Sequence, residues 1–214
     1  MKDEVAAPRL RFDRGEISAA ILTGGTSRRM GTDKALLLHD GKPLVQWVRE
    51  AVAKVFGNVF LVTSDPARLA LPWIPAVPDR ITGQGPLGGI DAALRHASTE
   101  FTFITGCDMP FLSPAVLRSL AARAHGCDLV IPSGPNGPEP LCAIYGKGCL
   151  PYVEKALDAG QRNVFRLIDQ VRARIVPAEE IAAVDPEFLS FLNVNTPDDY
   201  RRLEKSDTWG RRDP

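Results

Sequence analysis

The sequence predicts a three-layer α/β/α fold around a mostly parallel sheet. Two observations predict it. Short runs rich in apolar, β-branched or aromatic residues, at Ala19–Thr23, Val59–Thr63 and Phe101–Thr105, alternate with segments of helical periodicity. Strand–helix alternation of this kind builds βαβ units and a parallel sheet. Each run also ends in polar or glycine-rich sequence, and in open Rossmann-like sheets ligands bind beyond the carboxyl ends of the strands.

The elements follow in order. Ala19–Thr23 reads as a strand buried on both faces. Pro43–Phe56 places Leu44, Val45, Val48, Val52 and Val55 at helical spacing, with proline in the first turn. Val59–Thr63 is the second strand. Pro86–Ala97 is a helix by the same periodicity, and Phe101–Thr105 is the third strand. Ser113–His125 opens on an N-cap serine and a proline and stops at Gly126. Asp128–Pro132 is a fourth strand. The last third changes texture, with short strands at Leu141–Tyr145, Arg174–Val176 and Phe191–Val194. Helices are expected there at Leu150–Ala159, Val164–Gln170 and Asp198–Glu204. The expected organisation is one domain over residues 17–204, with a flexible extension at 1–16 and a tail at 205–214.

A length of 214 residues suits one such domain. The formal net charge is zero, which gives no electrostatic reason to expect nucleic acid or an anionic membrane as partner. The four cysteines, at 107, 127, 142 and 149, form no C-x-x-C pair and no zinc spacing. Cys127 and Cys142 lie in apolar runs and read as buried thiols. No stretch approaches a membrane span and residues 1–16 lack the apolar core of a secretory signal, so a cytoplasmic protein is expected.

The most informative stretch follows the first strand. Leu22 and Thr23 lead into Gly24 and Gly25, and Arg28, Arg29 and Lys34 come next. Paired glycines let backbone N–H groups approach a ligand closely, and such N–H groups form a concavity suited to anions. The three cations beside it make a polyphosphate the natural guest. The order, glycines first and cations after, differs from a P-loop.

Strand Phe101–Thr105 delivers Asp108 in the sequence Cys107-Asp108-Met109-Pro110-Phe111. A carboxylate just past a buried strand needs a reason, and a hard divalent cation supplies one. Asp108 is the candidate Mg²⁺ ligand. A second glycine loop, Gly83-Gln84-Gly85-Pro86-Leu87-Gly88, fits the dinucleotide fingerprint of a dehydrogenase. Pro75 and Pro78 spoil the preceding run as a central strand, so that reading is set aside.

The first loop, read as L-x-G-G-x-S-x-R-M-G-x-D-K, is carried by Leu22, Gly24, Gly25, Ser27, Arg29, Met30, Gly31, Asp33 and Lys34. It resembles the nucleotidyltransferases that join a nucleoside triphosphate to a phosphate-bearing acceptor, and among them the molybdenum cofactor guanylyltransferases. Cys107–Phe111, the Asp79 to Gly89 segment, Gly160-Gln161-Arg162 and Asn193-Val194-Asn195-Thr196-Pro197 resemble further motifs of that family, in order. Glu139-Pro140-Leu141 resembles another, with Glu139 where His or Gln is more usual.

The resemblance implies the nucleotide-diphospho-sugar-transferase type of fold and transfer of GMP from GTP to molybdopterin. It implies Arg29 and Lys34 on the triphosphate and Mg²⁺ on Asp108, these three residues being the catalytic set. Asp79 and Ser64 would face the nucleoside, and Arg162, Asn193 and Asn195 the acceptor. It leaves open a CTP-dependent sister activity and a non-catalytic nucleotide-binding role. A monomer is expected, with molybdoenzyme maturation proteins as possible contacts.

Overall fold

The computed structural model describes residues 13–23, 34–67, 69, 71–81, 83–195 and 199. Seven strands run in the order β10-β7-β9-β6-β1-β4-β5, and a short β8 pairs with β7. Their ranges are β1 Ile17–Leu22, β4 Asn58–Thr63, β5 Ala76–Pro78, β6 Phe101–Gly106, β7 Leu129–Gly134, β8 Gly137–Pro138, β9 Cys142–Gly146 and β10 Ala173–Val176. A two-stranded ribbon, β2 Leu38–His39 with β3 Lys42–Pro43, stands apart.

β1 lies at the centre because all of its residues are apolar or small, and all are buried. It pairs in parallel with β4 and with β6. Its alternation assigns the two faces. Ala19 and Ile21 join Val45, Val48, Leu117 and Leu120 on one side, whereas Ala20 and Leu22 join Leu87, Ile90, Val153 and Leu157 on the other. The first side is covered by α1 Leu44–Ala53, α3 Pro114–Ala121 and α5 Ala178–Ala182, the second by α2 Pro86–His96 and α4 Leu150–Asp158. This is the expected three-layer arrangement.

Proline placement follows backbone chemistry. Pro78 is confined to β5, the edge strand. Ser113 caps α3 by accepting the Ala115 N–H at 3.2 Å, with Pro114 at the first helical position. The four cysteines are buried and reduced; burial pushes the Cys149 thiol up to about 12.

Two expectations are corrected. Phe191–Val194 is not a strand: Leu189–Phe191 forms a single 3₁₀ turn and an irregular segment follows. The buried Asp185 carboxylate accepts the Leu189 and Ser190 N–H groups and so favours the turn. Val164–Gln170 is a short 3₁₀ turn at Val164–Leu167, capped by Asn163, rather than a helix. The sheet is mostly parallel, as expected, with β9 antiparallel to both β6 and β7. The expected helix at Asp198–Glu204 lies outside the described residues except for Asp199.

Candidate active site

β1, β4, β5 and β6 run in parallel, so their carboxyl ends open on one edge. Thr23, Ser64, Asp79 and Asp108 all follow those ends. Thr23 fixes the exit from β1 by donating twice to the Val62 carbonyl, from its N–H at 2.9 Å and its hydroxyl at 3.1 Å. The Asp79 N–H donates to the Thr63 carbonyl at 2.8 Å, which ties the β5 exit to β4. Ser64 is exposed beside it. Gly24, Gly25, Arg28 and Arg29 lie outside the described residues.

Asp108 is reached through a close approach. A Cβ on Gly106 would collide with Oδ1 of Asp108, so only glycine allows the carboxylate to fold back over the strand end. Gly106→Ala is therefore expected to displace Asp108 and to lower activity about tenfold or more, with little change in melting temperature. Equal activity in the variant would free the carboxylate from this constraint.

Lys34, at the start of a 3₁₀ turn Lys34–Leu36, approaches from the other side. Its Nζ donates to Asn195 Oδ1 at 2.8 Å and lies 3.9 Å from Asp108 Oδ2. The backbone joins in, as the Val194 N–H donates to the Asp108 carbonyl at 2.9 Å. Side chains distant in sequence thus converge on one cation, and two hard oxygens, one carboxylate and one amide, face it. Burial raises the Asp108 pKa and Lys34 opposes the rise. Asp108 does not cap α3, since Ser113 does. A carboxylate at a strand end with no helix to cap suits a hard cation completed by substrate oxygens.

Asn193 and Asn195 make different contacts. The segment is irregular, so the two-residue period of a strand does not apply. The Asn193 amide donates to the Phe191 carbonyl at 3.2 Å, within its own turn, while Asn195 reaches Lys34. Arg162 is exposed after α4. β9 ends at the amino-terminal edge of the parallel strands, so the chain direction of α4 returns the Gly160–Arg162 loop to the carboxyl edge.

A buried charge network that sequence reading missed lies beside Asp79. Asp91 of α2 is fully buried and accepts from Arg80 Nε at 3.0 Å and Arg95 Nε at 2.9 Å; Arg95 also pairs with Glu154 of α4. The signal was a charged residue at position 91 between the apolar positions Ile90 and Leu94. Arg80 neighbours Asp79, whose pKa is raised by burial and further by the nearby Asp91 charge. Asp91→Ala leaves two arginines without their shared partner. Breaking a buried pair costs about 3–5 kcal/mol. Part of the guanidinium surface remains in water, so roughly 2–3 kcal/mol is expected here. Chemical denaturation checks this, and a loss under about 0.5 kcal/mol would show the network to be idle.

A family model described as MobA-like NTP transferase domain matches residues 19–175. The chain is 33% identical over 198 residues to a protein named molybdenum cofactor guanylyltransferase from Desulfosudis oleivorans, covering 91% of this chain and 98% of the relative. A crystal structure of molybdopterin-guanine dinucleotide biosynthesis protein A from Archaeoglobus fulgidus superposes with a TM-score of 0.76 at 32% identity, covering 88% of this chain and 97% of the other. The fold, the convergent Lys34–Asp108–Asn195 site and these relatives agree: the chain belongs to the MobA-like NTP transferase family and is a nucleotidyltransferase.

Proposed function

We propose that the protein transfers GMP from GTP to molybdenum-bearing molybdopterin, giving the guanine dinucleotide cofactor and pyrophosphate. The observation that carries this reading is the convergence of Lys34, Asp108 and Asn195 at the shared carboxyl edge of β1 and β6. The guanine and molybdopterin specificities rest on the names of the relatives.

A terminal phosphate oxygen of the acceptor attacks the α-phosphorus of GTP. The new P–O bond forms as the bond from that phosphorus to the bridging oxygen breaks, and pyrophosphate leaves with the electron pair. The acceptor is its own nucleophile, so the protein's task is positioning and charge stabilisation. Lys34 offsets charge on the triphosphate, together with Arg29 and the backbone of Gly24 and Gly25. Asp79 and Ser64 face the nucleoside. Asp108 would hold Mg²⁺, which, when bound, would polarise phosphate oxygens as a Lewis acid, while Asn195 holds the Lys34 ammonium.

Arg162 and Asn193 are assigned to the acceptor, the arginine through the planar fork that suits a phosphate. Asn195 stands where the acceptor side meets Lys34. Arg162→Ala is expected to raise the acceptor KM about tenfold and to leave the GTP KM within about threefold. An effect confined to GTP would move Arg162 to the donor side.

Incubation with Mg²⁺, molybdopterin and each nucleoside triphosphate in turn, followed by pyrophosphate release and product mass, tests the whole reading. GTP is expected to support turnover. A buried polar edge built for one base rejects others strongly. Turnover with CTP alone would reassign the protein to the cytidylyl activity, and no turnover with any nucleotide would overturn the proposal.

A further inference from the structure

One carboxylate on the acceptor side is left unused by the transfer chemistry. Glu139 lies in the turn between β8 and β9, at the carboxyl edge of β7. Its backbone is held on both sides: its N–H donates to the Pro132 carbonyl at 2.9 Å, and its carbonyl accepts the Cys142 N–H at 3.0 Å. The side chain folds over Gly134. Glu139 Oε1 lies 3.1 Å, and a Phe191 ring carbon 2.8 Å, from the point a Cβ on Gly134 would occupy. A carboxylate and an aromatic ring therefore sit side by side on a floor that only glycine provides. β9 runs antiparallel to its neighbour β6, so Glu139, just before β9, lies at the same edge as Asp108, just after β6.

The carboxylate is half-buried, and among the described residues it makes no hydrogen bond or ion pair. Burial raises its pKa, and no cation opposes the rise. An acceptor-only group withdrawn from water without a donor is costly. A ligand bringing paired N–H donors would offset that cost. Such a pair of donors matches the two oxygens of a carboxylate.

We propose that Glu139 recognises the acceptor by accepting two N–H bonds from the pyrimidine edge of its pterin, one from the 2-amino group and one from the adjacent ring N–H. This rests on the acceptor being a pterin. Glu139 is then a specificity residue, separate from Lys34 and Asp108.

The test compares binding of two small probes by calorimetry on the full chain with GTP and Mg²⁺ present. 6-Hydroxymethylpterin carries the amino group; 6-hydroxymethyllumazine has a carbonyl there, which would face the carboxylate. The unaltered protein is expected to prefer the pterin at least about tenfold. Glu139→Gln offers one donor and one acceptor, so the preference should shrink to about twofold or reverse, with the GTP KM unchanged. Equal binding of the two probes by the unaltered protein would overturn the proposal even if the variant failed to fold. So would a Glu139→Gln variant whose Mg²⁺ requirement changes while its acceptor KM does not, since that behaviour belongs to a metal ligand. Turnover of GTP with molybdopterin but no probe preference would sink this inference alone. No turnover with any nucleotide would sink the function on which it rests.

Discussion

Asp108→Asn is expected to reduce turnover by roughly 10³-fold and to remove most of its dependence on divalent metal. The substitution keeps the shape of the side chain and its place behind Gly106, but it deletes the charge that holds a hard cation. A metal acting as Lewis acid supplies several kcal/mol of transition-state stabilisation, and about 4 kcal/mol corresponds to that factor. Stability should move the other way. Burial raises the pKa of Asp108 despite Lys34, so the folded state binds its proton more tightly than the unfolded state does. An acid of this kind costs stability as pH rises from its unfolded pKa to its raised folded pKa, and that stability returns as pH falls back through the same window. Asparagine resembles the protonated form. The melting temperature at neutral pH should therefore hold or rise. Near-normal turnover at low Mg²⁺, or a sharp drop in melting temperature, would each contradict the assignment.

The parts of this site that were legible in sequence are the ones fixed by local chemistry. β1 and β6 are buried on both faces because helices cover both, so runs of apolar, small and β-branched residues marked them directly. Asp108 stood out because a carboxylate so close to a buried strand has few inexpensive reasons to be there. Ser113 and Pro114 announced α3 through the orphan N–H groups of a helix start. What sequence spacing does not carry is tertiary convergence. Lys34 and Asn195 are 161 residues apart, and their 2.8 Å bond depends on an irregular segment held by Val194 to Asp108. Reading Phe191–Val194 as a strand followed from its apolar residues. The buried Asp185 overrode that preference by supplying hydrogen bonds that a strand would have taken from a neighbour. The reversal of β9 is set by the hairpin through β8, whose turn residues are compatible with several connections.

Lys34→Ala is expected to lower turnover by about 10²–10³-fold, or roughly 3–4 kcal/mol, the range for removing one preorganised electrostatic donor. The geometry explains why the loss should fall on turnover more than on GTP binding. Lys34 Nζ is already held between Asn195 Oδ1 and Asp108 Oδ2, with only 15% of its side chain exposed, so its position is set before substrate arrives. A charge that need not reorganise acts most strongly where charge develops, on the departing pyrophosphate. Ground-state binding is shared among several contacts, so the GTP KM should change less than kcat. Lys34→Arg should restore little. A planar guanidinium cannot reproduce a compact ammonium pointing between two oxygens less than 4 Å away. The same deletion acts on Asp108. With its one opposing cation gone, burial is offset only by a backbone hydrogen bond, and the pKa of the carboxylate should climb further. Turnover of the alanine variant should then recover only at higher pH than for the unaltered protein. Measuring kcat and KM across pH for both variants separates the outcomes. Turnover within about threefold of normal, or a deficit confined to the GTP KM, would reduce Lys34 to a binding contact and transfer the electrostatic role to the arginines of the first loop.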